Sequence, residues 1–184
     1  FGKGLWMALF NVVSYVSSTG FANTDTSVWP LFSILVLSYL SIQCGCSGST
    51  TGGIRADRVW ILVKAARTQM LRTIHPNAVI PVKYGKDVAD SSLVGSVSVY
   101  LIVYIFIFYI FSLAYSLYGL NVAECISSSL SMVGNIGPAF GSLGSLSNFS
   151  ALAGGCKFLM GVEMIMGRLG LYSILILLVF RKRG

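Results

Sequence analysis

Residues 93–117 read LVGSVSVYLIVYIFIFYIFSLAYSL, and no Asp, Glu, Lys or Arg interrupts these 25 positions. About 20 apolar residues in a helix are enough to cross the roughly 30 Å hydrocarbon core of a bilayer. This stretch therefore predicts a transmembrane helix. The whole composition agrees, because only 10% of the 184 residues are charged, against about 25% in soluble domains.

The positive charges indicate how this helix is oriented. Seven of the 13 Lys and Arg lie between Arg55 and Lys86, and Arg181, Lys182 and Arg183 form a second cluster. Lys and Arg that flank membrane spans collect on the cytoplasmic side. Both clusters are therefore expected inside, with an even number of spans between them. The net charge of +7 then needs no nucleic acid as a partner, and the expected surroundings are a lipid bilayer.

Two short apolar stretches share one pattern, in which an apolar segment ends in a turn. Residues 5–16 and 122–133 are too short to span a bilayer, and each ends in a glycine-bearing turn, at 17–21 and at 134–138. These stretches predict half-helices that enter the membrane and turn back.

Longer apolar helices are predicted after both turns, at 29–43 and 151–180, and Gly20 and Gly137 correspond, 117 positions apart. We interpret the pattern as a helix–re-entrant loop–helix unit that is repeated within the chain. The first copy lacks its first helix, so we expect further chain before Phe1.

The two turns are candidates for an ion site made of main-chain oxygens. Non-helical backbone at membrane depth is tolerated only when it is buried in protein or lines a wet path. A helix C-terminus favours a cation, and rings of carbonyl oxygens replace the hydration shell of K⁺ in potassium filters. The alternative is a tight loop packed between helices; one such turn favours that alternative, whereas two at matched positions favour the pore.

Five stretches in order resemble the TrkH/KtrB family of potassium transporters: Ser18-Thr19-Gly20-Phe21, Asn23-Thr24-Asp25, residues 45–55, Asn135-Ile136-Gly137-Pro138 and Gly167-Arg168-Leu169. The resemblance implies an all-α membrane protein, with two of four helix–re-entrant pore loop–helix units around a pseudo-fourfold ion pore. Residues 1–66 would be the third pore repeat without its first helix, residues 67–89 a cytoplasmic linker and residues 90–184 the fourth repeat.

The resemblance also implies roles for individual residues. The selectivity filter would consist of Ser18, Thr19, Gly20, Phe21, Asn135, Ile136, Gly137 and Pro138, with K⁺ at the backbone of Thr19, Gly20, Ile136 and Gly137. A gating loop that breaks the second helix and obstructs the path would contain Gly45, Ser47, Gly48, Ser49, Thr50, Thr51, Gly52 and Gly53. Arg168 would face the pore below the filter, contact this loop and act as an electrostatic barrier.

Two of these segments have alternative interpretations. The stretch 45–53 is also rich enough in Gly, Ser and Thr for a phosphate loop, but the lysine of that motif is absent. Arg168 lies roughly 20 Å before Arg181 along an unbroken helix, and a charge at such depth needs a partner or a wet cavity. Pairing with Glu163, or snorkelling, is the alternative. Relatives usually carry Glu two positions after this arginine, and here Gly170 stands there.

Four cysteines, Cys44, Cys46, Cys125 and Cys156, have no metal-like spacing to the lone His75 and are predicted to be buried or lipid-adjacent free thiols. Asp25 and Glu124 are expected near the outer mouth, where acidic groups concentrate cations or simply face solvent.

The function that the resemblance implies is K⁺ uptake across the plasma (inner) membrane of a bacterial-type cell through a gated pore, and not an enzyme activity. The expected partners are the missing N-terminal half of the pore, a second membrane subunit in a homodimer and a cytoplasmic TrkA/KtrA-like ring of nucleotide-binding subunits. K⁺ is the expected transported ion, with no organic cofactor. The alternatives are an H⁺- or Na⁺-coupled symporter, for which Glu163 is the candidate carboxylate, and a Na⁺-permeable member of the same superfamily.

Overall fold

The computed structural model of the chain describes residues 2–46, 48–49, 51–75, 81–84, 87–88 and 91–170. Six α-helices carry this part of the fold: α1 (Gly2–Val16), α2 (Leu31–Gln43), α3 (Ala56–Ile74), α4 (Ser91–Ser116), α5 (Val122–Gly134) and α6 (Gly154–Leu169). The strands β1 (Lys83–Tyr84) and β2 (Asp87–Val88) pair as a small antiparallel hairpin. The predicted all-α fold class is confirmed.

The helix predicted from residues 93–117 is α4. Among the described helices only α4 is long and apolar enough to cross a membrane, over Ser92–Ser116, whereas α2 and α5 are shorter apolar helices. One side of α4 is buried against the protein at Tyr100, Tyr104 and Tyr115. Its other side exposes large apolar side chains such as Ile102 and Phe106, at 65% and 63%, as expected of a surface that faces lipid.

The structure repeats one order of elements. The first copy runs through α1, a non-helical segment, a 3₁₀ turn at Thr26–Val28 and α2, and the second runs through α5, a non-helical segment, a 3₁₀ turn at Gly141–Leu143 and α6. In the second copy α4 precedes the half-helix. The internal repeat predicted from the apolar pattern is therefore visible in the fold.

A loop separates α2 from α3. The N–H groups of Ile54 and Arg55 donate to the carbonyl oxygens of Ile42 and Gln43, both at 3.0 Å. The returning chain thereby satisfies carbonyls that the end of α2 leaves without helical partners. From Ala56 onward α3 continues without interruption through residue 66, where we had expected the third repeat to end.

The last helix differs from its prediction. We expected a helix over 151–180, whereas α6 begins at Gly154 and ends at Leu169, and Gly170 adopts φ +81°. Glycine takes up this left-handed conformation at little cost, so Gly170 ends the helix. Residues 171–184, with Arg181, Lys182 and Arg183, lie outside the described residues. The distance of roughly 20 Å between Arg168 and Arg181 was predicted for an unbroken helix. It does not apply to a helix that ends at Leu169.

Two buried cores position the candidate site. Tyr115, Met132 and Met160 belong to one core, which joins α4, α5 and α6. Another core contains Tyr15, Leu37, Cys44 and Ile136. Since Ile136 follows α5 and the others belong to the first copy of the repeat, this second core joins the two copies. Cys44, Cys125 and Cys156 are buried free thiols, as predicted, whereas Cys46 is a free thiol that is exposed.

Candidate functional site

The C-terminal end of α1 turns sharply into the first predicted filter segment. The N–H of Ser18 donates to the carbonyl of Tyr15 at 3.3 Å, and the N–H of Thr19 donates to the carbonyl of Ser14 at 3.1 Å. Ser18 itself has φ +54°. This pair of bonds around one left-handed residue is a Schellman motif, which normally uses glycine.

The C-terminal end of α5 has the same geometry. Asn135 N–H donates to the Met132 carbonyl at 3.0 Å, Ile136 N–H donates to the Ser131 carbonyl at 2.9 Å, and Asn135 has φ +57°. Ser18 and Asn135 therefore occupy equivalent places, although neither is glycine. Strained left-handed residues of this kind persist only where the surrounding structure holds them, and they cluster at functional sites.

The two segments that follow these turns lie against each other. A Cβ atom added to Gly20 would come within 2.0 Å of the Ile136 carbonyl oxygen and 3.2 Å of Pro138 Cδ. No side chain fits there, so only glycine permits this approach. Gly137 has φ +104°, and a Cβ added there would meet no atom within 4 Å. The sequence-predicted filter residues from both repeats are therefore brought together, with open space beside Gly137.

The second segment is fixed by α6. Asn135 Nδ2 donates to the Met164 carbonyl at 2.9 Å. A Cβ added to Gly167 would lie 2.2 Å from the Val133 carbonyl oxygen, so the two backbones are in contact. The end of α5 and the start of the filter segment thus rest directly on α6.

The first segment is braced by Asn11, which sequence reasoning missed. This side chain is fully buried within α1, and its Nδ2 lies 2.8 Å from Asn23 Oδ1 and 3.1 Å from Thr24 Oγ1. A single amide in an otherwise apolar stretch, followed by the polar residues 23–26, was the available signal. Asn11 ties the chain that leaves the filter segment back to the half-helix.

Ser145 joins the outer loops of the two repeats. Its hydroxyl accepts from the N–H of Thr26 at 3.1 Å and donates to the carbonyl of Thr24 at 2.9 Å. Thr26 is fully buried by this arrangement. The loop that follows one filter segment therefore fixes the loop that follows the other.

The predicted gating loop packs beneath the end of α5. A Cβ added to Gly52 would lie 2.5 Å from the Val133 carbonyl oxygen and 2.9 Å from that of Gly134. The neighbouring Gly53 has φ +73°, and its carbonyl accepts from the Tyr100 hydroxyl at 3.0 Å. Small residues thus allow the loop to approach the pore helix and α4 closely. Ser47 and Thr50, also predicted to belong to the gate, lie outside the described residues.

A cavity of about 550 Å³ opens between this loop and the end of α1. The loop side is polar, since Ser49 Oγ and Thr51 Oγ1 share a hydrogen bond of 2.5 Å. Residues that line the cavity include Val16, Ser17, Gln43, Gly45, Ser49 and Thr51. The half-helix end therefore faces the loop across open space.

Arg168 lies in the last turn of α6 and is exposed. Within the described ranges its side chain takes part in no hydrogen bond or ion pair. Gly167 and Gly170, on either side of it, line a cavity of about 150 Å³ together with Thr51, Gly52 and Gly53. The helix that carries Arg168 thus reaches the level of the loop.

Glu163 does not line that cavity. It is fully buried, and it accepts a hydrogen bond from Tyr115 and bonds Ser129. Arg168 therefore does not pair with Glu163, and that alternative is wrong. Tyr115 and Ser129 were not singled out by the sequence, because their meeting depends on the packing of three helices.

The two outer acidic residues have local hydrogen-bond partners. The hydroxyl and N–H of Ser27 both donate to Asp25, and these bonds lower the pKa of its carboxyl group. Glu124 accepts from the N–H of Asn121 and of Ser142, both at 3.1 Å, and forms a capping box at the start of α5. In the part of the chain that is described, no cluster of His, Cys, Asp or Glu could hold a metal ion.

Known proteins are similar in sequence to this chain. The family model TrkH, described as a cation transport protein, matches residues 2–182. The Trk system potassium uptake protein TrkI of Halomonas elongata is 33% identical over 95% of this chain. Trk system potassium uptake protein TrkH of Escherichia coli K12 is 29% identical over 92% of it.

A solved structure is also similar. The crystal structure of the potassium transporter TrkH from Vibrio parahaemolyticus matches 94% of this chain with a TM-score of 0.84 and 30% identity. The chain covers 36% of that structure and 36% and 35% of the TrkI and TrkH sequences. It therefore spans about a third of the length of the relatives that it matches.

Proposed function

Because this chain belongs to the TrkH family of cation transport proteins, we propose that it forms two of the four repeats around a K⁺-conducting membrane pore. Its family is the one that the sequence motifs resembled, and it is a family of transporters and not of enzymes. The relatives named above are potassium uptake proteins, and the proposal extends their ion to this chain.

One observation carries the proposal: the two half-helices end in the same left-handed turn, and the segments after them touch. Gly20 lies against Ile136 so closely that a side chain has no room. Two helix C-termini, each of which favours a cation, are thereby directed to one place. Main-chain oxygens of Thr19, Gly20, Ile136 and Gly137 are the proposed K⁺ ligands, supported by Ser18, Phe21, Asn135 and Pro138 as the rest of the filter.

The loop at 45–53 is the proposed gate. It packs under the end of α5 through Gly52 and borders the cavity below α1. Ser49 and Thr51 of this loop share a hydrogen bond, and small polar side chains of this kind are able to rearrange in a wet cavity. Arg168, exposed at the same level, is the proposed electrostatic barrier, because a fixed cation there opposes the passage of K⁺ until the loop moves.

The proposed setting is the plasma membrane of a bacterial-type cell. The missing repeats would complete the pore, a second membrane subunit would form the dimer, and a TrkA/KtrA-like ring would dock on the basic α3. Exposed basic residues such as Arg67 and Arg72 support a cytoplasmic position for that helix. The boundaries at 1–66, 67–89 and 90–184 remain predictions, with α3 crossing the first.

A conducting pore is favoured over a coupled symporter. A coupling carboxylate should lie on the ion path, yet Glu163 is buried behind α5 and lines neither cavity described above. Permeation of Na⁺ remains the alternative within the same superfamily; the presence of both filter glycines, Gly20 and Gly137, supports K⁺.

The test uses a chimaera in which this chain replaces the aligned segment of the Vibrio parahaemolyticus TrkH. Gly137→Ser forces a side chain on a residue at φ +104°, so we expect at least about a tenfold loss of K⁺ uptake, with normal amounts in the membrane. Gly95→Ser is the control, because Gly95 lies in α4 with no atom within 4 Å of an added Cβ. Unchanged uptake in Gly137→Ser would remove the filter from the proposal.

A further inference from the structure

We infer that Glu163 is a positioning residue for the fourth filter segment: as an uncharged carboxylic acid it fixes the pore helix α5 against α4 and α6. This inference rests on the proposed function of the segment at 135–138. It concerns a residue that lies outside the ion path and that neither the filter nor the gate uses.

Three helices meet at the Glu163 carboxyl group. Tyr115 of α4 donates its hydroxyl proton to Oε2, and Ser129 Oγ of α5 lies 2.5 Å from Oε1. Glu163, Tyr115 and Ser129 are each 0% exposed. Glu163 of α6 is therefore hydrogen-bonded, through side chains, to both α4 and α5.

The hydrogen bonds of Ser129 indicate whether the Glu163 carboxyl group is protonated. Ser129 Oγ lies 3.1 Å from the Phe108 carbonyl oxygen as well as 2.5 Å from Glu163 Oε1. A hydroxyl has one proton to donate, and a carbonyl can only accept. Both contacts are hydrogen bonds if Ser129 donates to Phe108 and the protonated Glu163 donates to Ser129. A carboxylate would leave the Phe108 contact without a proton.

The surroundings also favour the uncharged form. Within the described residues no cation pairs with Glu163, and a buried carboxylate without a cation is strongly disfavoured. The titratable groups in the surrounding core are Tyr104 and Tyr115 of α4, Cys125 of α5 and Cys156 of α6. All four are neutral in their protonated forms, so none of them compensates a negative charge.

The contact at Glu163 sets the register of α5 on α6. One helical turn further along both helices, Gly167 meets the Val133 carbonyl. The carbonyl of Met164, the residue after Glu163, accepts from the side chain of Asn135 at 2.9 Å. Ser129 and Val133 thus face Glu163 and Gly167 in the same order. The filter segment begins at Asn135, so a shift of α5 along α6 moves the main-chain oxygens that the proposed filter uses.

The test compares Glu163→Gln with Glu163→Leu in the TrkH chimaera, with the ratio of K⁺ to Na⁺ uptake as the readout. Glutamine presents a carbonyl to Tyr115 and an N–H to Ser129, so we expect the ratio to stay within about twofold of the parent. Leucine removes both bonds, leaves the buried Tyr115 hydroxyl without a partner and leaves Ser129 with only the Phe108 carbonyl, so we expect the ratio to fall about tenfold. The ratio does not depend on the amount of folded protein.

Met160→Leu is the matched control, since Met160 is buried one turn earlier in α6, and a swap of similar volume is tolerated in a core. Ser129→Ala and Tyr115→Phe each remove one hydrogen-bond partner of Glu163 and should also lower the ratio of K⁺ to Na⁺ uptake. They replace Glu163→Leu as the test if that variant does not reach the membrane.

A Gln variant as impaired as the Leu variant, or a Leu variant with the parental ratio, would overturn the inference. Gly137→Ser in the same assay separates the two proposals, because normal uptake in that variant defeats the filter and leaves the Glu163 contacts untouched.

Discussion

At the scale of single residues, the absence of a side chain at Gly20 is what lets the two proposed filter segments meet. Gly20→Ala would place a methyl group 2.0 Å from the Ile136 carbonyl oxygen, on a residue with φ +70°. One segment has to move, so we expect a loss of K⁺ uptake and a destabilisation of about 1–3 kcal/mol. Uptake and melting temperature of the TrkH chimaera check this, with Gly95→Ala as the harmless exchange. Parental behaviour of Gly20→Ala would mean that the segments do not pack as described.

Asn11 offers a second test at this scale, because it is polar, fully buried and bonded to the chain beyond the filter. Asn11→Leu keeps the approximate size and removes the hydrogen bonds that Asn11 donates to Asn23 and Thr24. We expect about 1–3 kcal/mol of lost stability and a reduced preference for K⁺ over Na⁺. Thermal unfolding and the uptake ratio are the measurements. Val13→Leu, on the exposed side of the same helix, is the control, and an equal effect in both variants would contradict a specific role for Asn11.

At the scale of elements, the loop at 45–53 and the pore helix α5 share a backbone contact that ought to couple gate and filter. An alanine at Gly52 would come within 2.5 Å of Val133 and push the loop away from α5. We expect a higher basal K⁺ flux from Gly52→Ala, because the proposed gate then fits less tightly. Gly48→Ala is the matched control: it lies in the same loop and is strained at φ +84°, but it meets no neighbour within 4 Å. Higher flux from both variants would point to loop strain and not to the α5 contact.

The elements also show what the sequence was able to predict. The helices α4 and α5 and the end of α1 match their predictions within two residues, because unbroken apolar runs of fixed length decide them. The end of α6 was missed, since Gly170 lies inside an apolar run, and a glycine's φ depends on its surroundings. The turns at Ser18 and Asn135 were predicted only as glycine-bearing turns, without the Schellman geometry. Contacts such as Glu163 with Ser129 depend on tertiary packing, which no local pattern specifies.

At the scale of the whole molecule, the described helices leave broad apolar surfaces uncovered. Leu31 and Phe32 at the start of α2 are 72% and 77% exposed, and Trp6 of α1 is 68% exposed. Such surfaces are stable only against lipid or further protein. The proposed pore supplies both kinds of cover: further repeats around the pore axis and lipid at the periphery.

The proposed pore also predicts which loops face which side of the membrane. The basic helix α3 should lie inside by the positive-inside rule, and α4 then places the loop at 141–150 outside. In a chimaera without other exposed cysteines, including Cys46→Ser, we expect a membrane-impermeant maleimide added to intact cells to label Ser147→Cys and to spare Gln69→Cys. Both positions are exposed in the structure, so opening the cells should label both to the same extent. Labelling of Gln69→Cys from outside would contradict this orientation. The proposed docking face of α3 would then lie outside the cell, and the side assigned to the proposed filter and gate would have to be exchanged as well.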